Sequence, residues 1–146
     1  MPTAEFTATY PPSVNSRYVY FVRKGKVDMA KSQDVLAYEQ EIMYKVYPLK
    51  HNGSLPKEPI RGNVVLKCLF YPPKGNRQDI DNPSKALLDA LTLAGVWQND
   101  RQVIALLSFR DDKAKIVTDR SRGLVRCKII WGKDLDIDAI KGLIKA

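Results

Sequence analysis

The stretch "NVVLKCLFYPPKGNRQDIDNPSKALLDALTLAGVWQNDRQVIALLSFR", residues 63–110, reads as strand, helix, strand, and this reading decides the fold. "NVVLKCLFY" is an apolar, β-branched run stopped by Pro72 and Pro73, the pattern of a largely buried strand. A helix follows: Asn82 is its expected N-cap, Pro83 fits its first turn, Leu87, Leu88, Leu91 and Ala94 form its buried side, and Gly95 closes it. "RQVIALLSFR" then returns to strand.

Outward from this unit, "GLVRCKIIW" is a further strand in which Val125, Cys127, Ile129 and Trp131 alternate with Arg126 and Lys128. The polar "DDKAKIVTDRSRG" between the two strands is turn-like. A last short helix is expected over Leu135 to Lys145, with Ile140, Leu143 and Ile144 on one face. On the N-terminal side, "EFTATY" alternates as a strand with Phe6, Ala8 and Tyr10 on one side, and "RYVYFVRKGKV" suits a short hairpin turning at Lys24-Gly25-Lys26. Val35, Tyr38, Ile42, Val46 and Leu49 then fall on one stripe of a helix of about four turns capped by Ser32. "KHNGSLPKEPIRG", residues 50–62, reads as a loop. The expected fold is α+β: a single domain over residues 1–146, with a mixed β-sheet and helices packed against it.

The length of 146 residues suffices for a core without disulfides, and 45% hydrophobic against 27% charged residues excludes wholesale disorder. The net charge of +8 favours an acidic partner, nucleic acid first and an anionic surface second. Cys68 and Cys127 sit in apolar runs without a C-x-x-C pair, which suits buried free thiols in a reducing compartment. The start "MPTAEFTATYPPS" lacks the pattern of a secretory signal, and no apolar stretch approaches the roughly 20 residues of a membrane span. The expected location is cytoplasmic, in a bacterial cytosol or a phage-infected host. His51 is the sole histidine, which leaves little for a Ser-His-Asp or Cys-His mechanism, and no phosphate-cradling glycine motif is present.

In this basic chain, Asp79 and Asp81 lie one residue apart before the central helix, Lys85 follows one turn on, and Asp100 comes after the helix. Carboxylates are hard oxygen donors of the kind Mg²⁺ takes in small numbers while keeping waters and substrate phosphate oxygens. The lysine can pair with a ligand or with a phosphate as charge builds. Convergence requires the chain after Trp97 to fold back toward the start of the helix. A plainer reading stands beside this one: aspartates near a helix N-terminus are favoured by capping and the dipole, and Asn99-Asp100 is ordinary turn chemistry.

"DIDNPSKALLDAL" followed by "AGVWQND" resembles the RusA family of Holliday junction resolvases, with its D-x-D-N-x-x-K series leading into a helix and its later G-x-W-x-x-D segment. The early "PPSVNSRY" also resembles the family's N-terminal segment. The likeness runs from about Tyr10 to Val103 and is firmest between Asp79 and Asp100.

The resemblance implies that Asp79, Asp81 and Asp100 bind divalent metal, Mg²⁺ with Mn²⁺ able to substitute, and that Lys85 is required for cleavage. Asp89 fits the helix pattern as either a functional or a structural acid. The implied activity is a homodimeric, metal-dependent endonuclease that cuts four-way DNA junctions by paired symmetric nicks in recombination and repair. Two further readings remain: a nuclease for other branched DNA, or an architectural protein that binds junctions without cutting. Asn15 and Arg17 in the N-terminal loop, with Lys74 and Arg77 before the motif, are candidate DNA contacts. Arg110, Lys113, Lys115, Arg120, Arg122, Arg126 and Lys128 form a wider basic group, to which Lys24, Lys26 and Arg61 can be added. The chain differs from the family pattern in its hairpin segment, its sparser basic residues before the motif, and the "DLDID" run leading into a C-terminal helix.

Overall fold

The computed structural model describes residues 1–13, 18–73, 81–111 and 123–145, without the side chains of 81, 82 and 143–145. Its main sheet has four strands in the order β1-β6-β4-β5: β1 is Thr3–Thr9, β4 Val64–Tyr71, β5 Val103–Arg110 and β6 Leu124–Trp131. β6 runs antiparallel to both β1 and β4, while β4 and β5 are parallel. The sheet is therefore mixed, and the fold is α+β.

Parallel neighbours need a crossover, and here it is α2, Asp81–Leu93. This helix begins one residue before the expected Asn82 cap. Pro83 tolerates the shift because the first turn of a helix leaves its N–H groups without intrahelical partners in any case. At the other end, Gly95 adopts φ +77°, its N–H bonds to the Thr92 carbonyl at 3.0 Å, and that of Val96 bonds to Leu91 at 3.2 Å. This pair of bonds stops the helix sharply and turns the chain under it.

α1, Gln33–His51, starts at Ser32, whose Oγ accepts from the Val35 N–H at 3.3 Å. It buries Val35, Tyr38, Ile42 and Val46 as its spacing demands. With 19 residues it exceeds the expected four turns, because the helix continues through Pro48 to His51 and shortens the following loop. α1 and α2 cover one face of the sheet over Leu66, Cys68, Phe70, Val125, Cys127 and Ile129. α3, Ile137–Lys145, lies on the other face, where Leu135 and Ile140 meet Val65 and Ile130. It begins two residues later than expected, since the Asp136 carboxylate caps it by accepting from the Ala139 N–H at 2.8 Å.

β2 and β3, Tyr18–Arg23 and Lys26–Lys31, form a separate two-stranded hairpin. Its turn is Lys24-Gly25, both at positive φ, +50° and +75°, as a two-residue hairpin turn requires.

Candidate active site

Asp100 opens a single 3₁₀ turn, Asp100–Gln102, between α2 and β5. The turn is built by its neighbours. Asn99 Oδ1 accepts from the Arg101 N–H at 2.9 Å, and Gln102 Oε1 accepts from the N–H groups of Gln98 at 2.8 Å and Asn99 at 3.0 Å. The other end of the Gln102 amide donates to the carbonyls of Ile60, at 2.6 Å, and Gly62, at 2.9 Å. One side chain thus fastens the Asp100 turn to the loop before β4.

The carboxylate itself is held from α2. The Thr92 hydroxyl donates to Asp100 Oδ1, and the buried Trp97 indole N–H donates to Thr92 Oγ1 at 2.7 Å. Thr92 has only one proton to give; the Leu88 carbonyl, 3.0 Å away, competes for it, but the charged oxygen is the stronger acceptor. Asp89, Thr92, Gln98, Asn99 and Asp100 line an open depression of about 440 Å³, walled by Tyr18 and Lys31 at the base of the hairpin and by Glu39 of α1. Lys31 Nζ lies 2.7 Å from Glu39 Oε1.

Asp81 stands elsewhere. It is the first residue of α2, at the end of the crossover that follows β4, whereas Asp100 precedes β5 at the opposite end. Asp81 and Thr92 are eleven positions apart on one helix, which at 1.5 Å per residue is about 16 Å. Lys85 is exposed one turn beyond Asp81. The fold-back after Trp97 therefore takes place, but it brings Asp100 to the C-terminal half of α2 and not to its start. Among the described residues no three His, Cys, Asp or Glu side chains form a group suited to a metal ion.

The donor chemistry nonetheless fits a hard divalent cation. Asp79, Asp81 and Asp100 offer only oxygen, and the softer ligands are occupied or remote. Cys68 and Cys127 are buried cross-strand neighbours, and burial, with the adjoining Cys68 thiol, pushes the Cys127 thiol well above its ordinary value. His51 is exposed and stacks on Tyr47 with ring centroids 6.3 Å apart.

Residues 9–126 match the family Endodeoxyribonuclease RusA. The chain belongs to the RusA endodeoxyribonuclease family. Similar proteins include the crossover junction endodeoxyribonuclease RusA of Enterobacteria phage 82, 33% identical over 104 residues, 71% of this chain and 79% of that protein. The enzymes of the same name from Escherichia coli K12 and Shigella sonnei are 33% identical over 106 residues, with the same coverage.

The RusA match spans β4, α2, the Asp100 turn and β5, so the acidic series lies inside it. Asp79, Asn15, Arg17, Lys74 and Arg77 fall outside the described residues, as do Lys113, Lys115, Arg120 and Arg122. Of the remaining basic candidates, Lys24 and Lys26 sit at the hairpin tip, and Arg61 is exposed beside the Gln102 anchor. Arg126 and Lys128 project from β6 on the side away from Cys127, Lys67 lies directly across from Lys128, and the Arg126 guanidinium stands 5.9 Å from the Tyr71 ring centroid. These positions form a cationic strip on the sheet. Thr92 and Gln102 had no signal of their own in the sequence, although Trp97 was close enough to Asp100 in the chain to suggest that it fixes the acid.

Proposed function

We propose that this RusA family member is a Mg²⁺-dependent, structure-specific endodeoxyribonuclease that resolves four-way Holliday junctions by paired symmetric nicks, in DNA recombination and repair. It acts as a homodimer in the cytoplasm, and Mn²⁺ substitutes for Mg²⁺. The observation that carries this reading is the intact Asp79-x-Asp81-Asn82-x-x-Lys85 series at the start of α2, with Asp100 held after Trp97, inside a match to the family over residues 9–126.

In the homodimer Asp79, Asp81 and Asp100 would hold the cation, Asp81 and Asp100 coming from different subunits because they lie at opposite ends of α2, and Thr92 and Gln102 would keep Asp100 in place for it. Lys85, exposed one turn into α2, offers its ammonium to the scissile phosphate or to a ligand carboxylate. When bound, the cation supplies a water of lowered pKa and neutralises charge on the attacking and leaving oxygens. Asn15, Arg17, Lys74 and Arg77 with the cationic strip on the sheet contact backbone phosphates, so recognition follows junction shape and weakens steeply with salt. A two-fold protein suits a four-way junction because it presents identical sites to two opposed strands.

The test is cleavage of a synthetic immobile four-way junction with Mg²⁺, beside a linear duplex of the same sequence. Wild type is expected to nick opposed strands of the junction alone. Asp81→Asn should still bind while cutting at least roughly 100-fold more slowly. A junction that is bound but never cut in Mg²⁺ or Mn²⁺ would make the protein a junction-binding module.

A further inference from the structure

The side of the sheet turned away from α1 and α2 is only partly covered. Cross-strand register sets its side chains in rows, because residues paired across neighbouring strands point to the same face. α3 and Leu135 cover the row Ile130, Val65, Ala105 and stop there. The next two rows run Glu5, Lys128, Lys67 and Arg126, Leu69, Phe109, and they line an open groove of about 780 Å³.

The charge in this groove does not favour the fold by itself. Lys67 and Lys128 are directly opposed on antiparallel strands, where like charges destabilise the pair. Glu5 is the one carboxylate among the described residues that line the groove; it lies 3.7 Å from Lys128 with its own side chain 69% exposed. An anion laid across the rows relieves the repulsion. Arg126 and Lys128 are two positions apart on β6, about 6.7 Å, comparable to the step between successive phosphates of an extended nucleic-acid strand. The same groove offers a flat apolar surface: Phe109, 56% exposed on the outermost strand, stands in one row with Arg126. A sheet with helices on one face, and with cations around an exposed aromatic on the other, suits unpaired bases, whose rings stack while their phosphates meet the basic groups. A duplex keeps its bases stacked inside, and an acidic peptide carries no succession of flat rings to lay on Phe109.

We propose that this groove binds a single strand of nucleic acid, with a base on Phe109 and phosphates on Lys67, Arg126 and Lys128. α2, which carries Asp81 and Lys85, packs on the opposite face of the sheet, so the groove is an accessory site and not the place of cutting. The proposal rests on the nuclease reading for its choice of nucleic acid, while its geometry is independent of the acids. It gives the protein a stronger hold on branched DNA with an unpaired stretch beside the branch than on the same branch fully paired.

Fluorescence anisotropy of a labelled oligothymidylate of about 12 nucleotides, titrated with the full-length protein, tests it. Phe109→Ala should weaken binding roughly 5- to 150-fold, and Phe109→Tyr should keep it. Lys67→Gln should flatten the slope of log affinity against log salt by about 0.7, the share of one phosphate contact on a single strand. An abasic oligonucleotide of the same length should bind wild type and Phe109→Ala alike. Phe109 is exposed, so an unchanged urea midpoint should show that the alanine variant is folded. Equal oligothymidylate binding by wild type and Phe109→Ala overturns the proposal, as does a poly-glutamate peptide that competes as well as the oligonucleotide. A protein that cuts junctions and fails this test loses the groove and keeps the nuclease reading. One that holds the oligonucleotide with these sensitivities and cuts nothing keeps the groove and loses that reading.

Discussion

Thr92 shows how much one hydroxyl can carry. It accepts from the buried Trp97 indole and donates to Asp100, so it links the core to a surface carboxylate. Thr92→Val keeps the shape of the side chain and removes both bonds. It should cost about 1–3 kcal/mol in stability, because the indole N–H is left buried and unpaired. Junction cleavage should fall roughly 10- to 100-fold with binding little changed, and urea titration beside cleavage and gel-shift assays would separate these effects. Asp79, Asp81, Lys85 and Asp100 stood out in the sequence because acids are conspicuous when they cluster in a basic chain. Thr92 did not, because a threonine within an apolar helical run looks like ordinary filler until its neighbours in space are known. Gln102 was hidden for the same reason: its partners Ile60 and Gly62 lie some forty residues away.

At the scale of elements, local signals served well wherever the deciding interaction was local. The Ser32 cap, the stripe from Val35 to Val46, the Lys24-Gly25 turn and the Gly95 stop all depend on residues a few positions apart, and all could be read. The end of α1 was read two residues short, because the glycine- and proline-rich run from Lys50 looks like loop while the helix, with Pro48 inside it, continues to His51. Pro48 provides no N–H to the last turn and is exposed, so nothing in the core requires its ring. Pro48→Ala should therefore stabilise the protein by about 1–2 kcal/mol, net of the greater freedom of the unfolded chain. An increased urea midpoint at unchanged slope would show this; a decreased one would mean that the proline shapes the Lys50 contact with the Gly95 carbonyl, now 2.6 Å.

For the whole molecule, the order β1-β6-β4-β5 was beyond local reading, since strand pairing joins residues up to about 127 positions apart and nothing near either strand announces its partner. The parallel pairing of β4 with β5 mattered most, because it decides which acids can meet. The same packed sheet sets a limit at high pH. Burial raises Cys127 above its ordinary 9.0 and Tyr38 above 10.0, with Cys68 contributing to both. From about pH 9 upward the unfolded chain loses protons that the folded chain keeps, so stability is full below that pH and declines as pH rises. Cys127→Ala should flatten this alkaline slope by up to about 1.4 kcal/mol per pH unit, which denaturant melts between pH 8 and pH 11 can measure. The relay from Trp97 through Thr92 to Asp100 has one more consequence. The protein has two tryptophans, and one of them is wired to Asp100, the acid proposed to hold the cation. Trp97 is thus a chromophore already installed beside Asp100, and the colour of its emission should shift when a cation binds there, without any added label.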